Sequence, residues 1–98
     1  MRIRYTIWKE QFVEKLEDKH GVSVDEVEQC LCSNPFVRKV SKGRRRGEDV
    51  YAAYGRTEVG RCLIVIFVAK KPGGAMPISG RDMTDAERRY YEKQTKQR

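Results

Sequence analysis

Ile78-Ser79-Gly80-Arg81-Asp82-Met83-Thr84-Asp85-Ala86-Glu87-Arg88-Arg89-Tyr90-Tyr91 carries a short apolar run into the start of a helix. The run ends at Ser79, and Arg81 stands at its exit. Thr84-Asp85-Ala86-Glu87 fits a capping box: the Thr84 hydroxyl accepts from the Glu87 N–H, and the Glu87 carboxylate accepts from the Thr84 N–H. The helix then brings Arg88, Arg89, Tyr90 and Tyr91. Cationic and phenolic side chains therefore gather where a strand meets a helix, a junction suited to holding a phosphate and a base.

Upstream of this junction the residues read as strands. Cys62 to Ala69 is apolar on both faces and rich in β-branched residues, which predicts the central, most buried strand. Lys70-Lys71-Pro72-Gly73-Gly74 is a basic turn, and Pro77 in the run Ala75 to Ser79 predicts an edge or a bulge. Asp49 to Arg56 is a strand of mixed faces, joined to Cys62 through a turn at Thr57-Glu58-Val59-Gly60. Phe36 to Val40 is a short strand, followed by a basic loop from Ser41 to Gly47.

Before Pro35 the period is helical. Ser23-Val24-Asp25-Glu26 is a second capping box, followed by Val24, Val27, Cys30 and Leu31 at helical spacing until Asn34-Pro35 stops it. Lys9 to Lys19 predicts a helix with Phe12, Val13 and Leu16 inward, and Gly21 suits its left-handed C′ position. Ile3 to Trp8 alternates as a strand. The predicted order is β-α-α-β-β-β-β-α: an α+β fold with two N-terminal helices and one C-terminal helix on an antiparallel sheet. Residues 1–98 are read as one domain with a frayed tail at 96–98.

Composition narrows the function classes. No segment is long and apolar enough to span a bilayer, and the charged N-terminus does not read as a signal peptide, so an intracellular, cytoplasmic protein is expected. The three cysteines lack zinc spacing and His20 is the only histidine, so no metal or other cofactor is expected. Residues 1–33 carry a net −2 and residues 34–98 a net +9, within a total of +7. A basic excess confined to one part suits a polyanion-binding face, and suits equally a solvated surface that keeps the protein soluble.

The candidate RNA contacts are Lys42, Arg44, Arg45, Arg46, Arg61, Lys70, Lys71, Arg88 and Tyr91. Arg56 and Arg81, at or near strand ends, could clamp a phosphate or form structural ion pairs, with Glu87 or Asp82 as partners. His20 and Glu48 are the candidate proton acceptors, although His20 at a helix C-terminus serves the helix dipole equally well.

Four segments, taken in order, resemble the BrnT family of bacterial toxins within the broader RelE-like ribonucleases. They are Trp8-Lys9 through Lys19-His20-Gly21-Val22-Ser23; Arg46-Gly47-Glu48-Asp49-Val50-Tyr51; Tyr54-Gly55-Arg56 with Gly60-Arg61-Cys62-Leu63-Ile64-Val65-Ile66-Phe67; and Ile78-Ser79-Gly80-Arg81 with Glu87-Arg88-Arg89-Tyr90. Gly80 stands where the family has alanine. The resemblance implies a RelE-like fold and a metal-independent endoribonuclease toxin that inhibits translation. It also implies a ribbon-helix-helix antitoxin, with two toxins on an antitoxin dimer and operator DNA reached only through the antitoxin. Arg56 and Arg81 become phosphate ligands by this resemblance, and Glu48 with Lys70 and Lys71 serve proton transfer and positioning. The alternative is a non-catalytic RNA- or antitoxin-binding module of the same fold that acts in operator autorepression.

Overall fold

A computed structural model describes residues 3–42 and 48–96. The elements are β1 (Tyr5–Thr6), α1 (Glu10–His20), α2 (Val24–Cys32), β2 (Phe36–Ser41), β3 (Val50–Arg56), β4 (Cys62–Lys70), β5 (Gly74–Asp82) and α3 (Asp85–Lys96). The sheet runs β1-β5-β4-β3-β2, so β4 is central, as its two-faced apolar pattern requires. All pairings are antiparallel except β1 with β5. That parallel edge departs from the wholly antiparallel expectation. β1 is also shorter than the Ile3–Trp8 alternation, because only Tyr5 and Thr6 register against β5.

Helices cover both faces of the sheet. On one face α1 and α2 bury Leu16, Val27, Cys30 and Leu31 against Leu63, Val65, Phe67 and Ala75. On the other, α3 lays Tyr91 against Ala52, Tyr54 and Ile64, with Phe36, Ile66, Met83 and Tyr90 beside them. Alternation along β4 sends Leu63, Val65 and Phe67 to the first face and Ile64 to the second.

The helix ends form as their sequences demand. Ser23 and Glu26 make the full capping box of α2, and Thr84 and Glu87 exchange the same two bonds at α3, 2.9 and 3.2 Å. Gly21 closes α1 at φ +59°, with its N–H bonded to the Leu16 carbonyl. β1 pairs with β5 only at Gly74 and Ala75, so Pro77 lies beyond that pairing. It sits at a bulge, where Ile66 pairs with Ser79 and Phe67 with Pro77, leaving Ile78 as the extra residue.

Two glycines let the helix layer close on the sheet. A Cβ at Gly55 would lie 2.8 Å from both the carbonyl oxygen and the Sγ of Cys30, so α2 rests directly on the β3 backbone. A Cβ at Gly80 would meet Leu16 Cδ2 at 3.0 Å. Leu16 is the buried residue of α1, and glycine at position 80 gives it room. Burial also pushes the Cys30 thiol up to about 12, with Cys62 adding to the shift, so Cys30 packs as an apolar group.

Arg61 ties the helix layer to the sheet. Its Nε donates to Asp82 at 2.7 Å, its Nη1 to Glu26 at 2.9 Å and to the Gly21 carbonyl at 3.0 Å, and its Nη2 to Asp82 at 3.0 Å and the His20 carbonyl at 3.4 Å. One guanidinium thus joins β5, the α1 C-terminus and the α2 N-terminus. Arg61→Met is expected to cost about 2 kcal/mol, given several charge-assisted bonds discounted for partial exposure. For a domain of this size that lowers Tm by roughly 10 °C, read by thermal denaturation.

Candidate functional site

The face beneath α3 collects most of the candidate phosphate chemistry. Cross-strand rows there run Phe36–Tyr54–Ile64–Arg81 and Arg38–Ala52–Ile66–Ser79. Arg56 extends the β3 row of Ala52 and Tyr54 by two residues and so faces the same side. α3 then sets its side chains over these rows. The Tyr90 ring lies 5.5 Å from Tyr54, 5.7 Å from Phe36, and under the Arg38 guanidinium at 5.8 Å. Arg56 sits over the Tyr91 ring at 5.5 Å.

Arg56 and Arg81 differ in how they are held. Arg81 makes a bidentate pair with Glu87, at 2.7 and 2.8 Å, and donates to the Asp82 carbonyl at 3.1 Å. The Arg81 guanidinium, more than the Thr84 cap bonds, holds the Glu87 carboxyl down at about 2. The same hydrogen bond raises the Arg81 pKa. Arg56 meets Glu92 at only 3.8 Å, with both side chains about half exposed, at 49% and 46%. Such a pair contributes little to stability and leaves the guanidinium able to exchange partners. The ion-pair alternative therefore holds for Arg81 in the structure, while Arg56 is the more available cation.

The remaining candidates do not converge on this point. Glu48 lies two residues before β3 and Arg56 at its end; at roughly 3.3 Å per residue an extended chain of that length spans about 25 Å. Glu48 instead accepts from Lys70 Nζ at 2.6 Å. His20 belongs to the opposite layer, where it ends α1 and its carbonyl accepts from Arg61. Neither is placed to take a proton from a group bound at Arg56 and Arg81. The expected constellation is thus split, because strand length and face alternation keep its members apart.

Among the proposed RNA contacts, Arg61 is committed to its carboxylates and carbonyls. Tyr91 is buried against the sheet and acts as core. Lys42, Lys71 and Arg88 are exposed. Arg44, Arg45 and Arg46 lie outside the described residues. Sequence reasoning did not single out Arg38 or Glu92. Arg38 could have been found from its spacing of two from Phe36, which puts both on one strand face; Glu92 carried no local signal.

Among the described residues no group of three or more His, Cys, Asp or Glu side chains is arranged to hold a metal ion. Among the described residues no helix is long and apolar enough to cross a membrane. A cleft of about 540 Å³ lies between α2 and the β3–β4 turn, with Asp25, Glu28 and Glu58 in its wall and Arg56 at its rim.

Three carboxylates of these networks have folded pKa values below their ordinary ones. They are Glu87; Asp82, through Arg61; and Glu26, first through the Ser23 backbone and then Arg61. A carboxyl depressed in the fold stabilises it fully above its unfolded value and loses that contribution as pH falls through the folded value. Stability is therefore expected to decline as pH falls from about 4.5, the ordinary glutamate value, towards about 2. Urea titrations across this range should show Glu87→Gln flattening the decline. An unchanged slope would remove Glu87 from the account.

The sheet face covered by α3 is thus lined with arginines, and comparison with known proteins identifies the family. A model of the family described as "Ribonuclease toxin, BrnT, of type II toxin-antitoxin system" matches residues 8–87. The chain belongs to the BrnT family of ribonuclease toxins. The crystal structure of the Brucella abortus ribonuclease toxin BrnT superposes with a TM-score of 0.58 at 22% identity, covering 83% of this chain and 97% of that one, a likeness of fold. No curated protein matches. A type II toxin has an antitoxin as its partner.

Proposed function

We propose that this chain is a metal-independent endoribonuclease whose phosphate site is formed by Arg56 and Arg81. The 2′-oxygen of one nucleotide attacks the adjacent phosphorus while the bond to the 5′-oxygen breaks. A 2′,3′-cyclic phosphate and a 5′-hydroxyl result, the departing 5′-oxygen taking its proton from water. The two guanidiniums offset the charge that builds on the equatorial oxygens, and Arg56 is the one able to follow it. Glu92, beside Arg56, is the carboxylate placed to accept the 2′-hydroxyl proton. The observation that carries this reading is the shared sheet face of Arg56 and Arg81 beneath one helix. Cleavage of messenger RNA would halt translation. The antitoxin is a ribbon-helix-helix dimer that holds two toxins and reaches operator DNA.

The test is incubation of purified protein with end-labelled single-stranded RNA in EDTA. Cleavage to fragments ending in cyclic phosphate is expected. Intact RNA that is still bound in a salt-sensitive way would favour the non-catalytic module. One observation leans towards that second reading: both arginines already face α3 carboxylates.

A further inference from the structure

The sheet has two edges of unequal character. β1 contributes only Tyr5 and Thr6. β2 runs for six residues, Phe36–Ser41, and among the described residues pairs with β3 alone. Its last four residues are exposed. An edge strand of this length presents alternate unpaired N–H and C=O groups along its outer side, a template for one more strand. Proteins that must keep such an edge solitary cover it or shorten it; β2 is neither covered by a strand nor short.

The side chains along this edge state what would pair with it. Arg38 faces the α3 side, in the row of Ala52 and Ile66; Lys39 faces the other, opposite Tyr51. Lys42 follows at the exposed end. Lys39 has one partner already, Asp49 at 2.9 Å. Between the cations, Val40 is 51% exposed and falls at the register shift between Lys39 and Ser41. A second copy paired antiparallel through β2 about Val40 would set Arg38 opposite the other copy's Lys42 and bring Lys39 close by, and like charges across adjacent strands repel. RNA would meet the cations but cannot extend a backbone ladder. A peptide strand with acidic residues on both faces and an apolar residue near Val40 satisfies the cations, the ladder and the exposed valine together.

We propose that β2 is the docking edge for an extended acidic segment of the antitoxin, which joins the sheet as a sixth strand. This rests on the toxin reading of the chain and deepens it. The added strand would set a carboxylate beside Arg38, whose guanidinium lies over Tyr90 on the candidate RNA face. Docking at the edge would thereby lower the positive potential of that face while leaving Arg56 in place.

The probe is a synthetic seven-residue peptide of three glutamates, one valine and three glutamates, which presents carboxylates on both strand faces around a central apolar residue; it is titrated into isotope-labelled protein and followed by amide resonances and amide exchange. Shifts and slowed exchange are expected at Arg38 to Ser41. A peptide of the same charge, N-methylated at alternate positions, should bind at least about tenfold more weakly, since it cannot complete the ladder. The Arg38→Glu, Lys42→Glu double variant should weaken binding by about tenfold, because like charges then face each other. A lysine-for-glutamate peptide makes the same charge test on unaltered protein, so a folding defect in the variant does not block the answer. Equal binding of the N-methylated peptide, or shifts confined to other elements, would overturn the proposal. So would a hexauridylate that protects the same amides, which would assign the edge to RNA. RNA cleavage assayed without peptide keeps the two readings separate: cleavage with no peptide binding removes only the docking edge.

Discussion

Arg56→Ala is expected to lower the rate of RNA cleavage by about a hundredfold, the usual loss when one preorganised donor to a developing phosphate charge is removed. The same change should barely alter Tm. Arg56 is half exposed, and its pair with Glu92 is long at 3.8 Å; exposed pairs of this kind contribute at most about 1 kcal/mol. Arg56→Lys should recover part of the activity, as a point charge replaces a planar fork. Single-turnover cleavage beside a thermal melt checks both halves. Arg81→Ala serves less well as a probe, because it also frees the buried side of Glu87, the residue that caps α3. A combined loss of activity and stability is the outcome there.

Phe67→Ala is expected to carry the largest effect on stability. Phe67 is fully buried in β4, the central strand, and stacks on Tyr51 at 5.7 Å. Removing a buried phenylalanine costs about 3–5 kcal/mol through lost transfer energy and the cavity left behind. Domains of this size are stable by roughly 5–15 kcal/mol, so the variant should retain a fold with Tm lowered by 15 °C or more, by rough proportion. Phe67→Leu should lose much less, since it keeps most of the volume. Denaturant midpoints for the pair measure the difference. Equal midpoints would mean that the core does not centre on β4.

The residues that announced the fold did so through local physics. Cys62 to Ala69 has no polar face, which only a central strand with layers on both sides can use. Ser23–Glu26 and Thr84–Glu87 name their helix starts through bonds made within one turn. Pro77 removes a ladder donor, and the strand answers with a bulge. What local signals missed was long-range. The parallel pairing of Tyr5 with Gly74 depends on where the chain returns, and no alternation encodes that. Arg61 looked like one more surface cation, yet its partners lie 21 and 35 positions away. The separation of Glu48 from Arg56 was implicit in the strand between them, whose rise per residue forbids a shared site. Gly80 was legible as a departure from the family's alanine, but its reason, the Leu16 side chain packed above it, appears only in three dimensions.

The proposed phosphate site lies beneath α3, at the Arg56 end of the sheet, and not at Glu48. It is tested most directly by single-turnover cleavage of one labelled RNA in EDTA by the unaltered protein, Arg56→Ala and Glu48→Gln. Strong loss is expected in Arg56→Ala and near-normal cleavage in Glu48→Gln. Loss in Glu48→Gln with Arg56→Ala unaffected would contradict it and move the site to the Glu48–Lys70 pair.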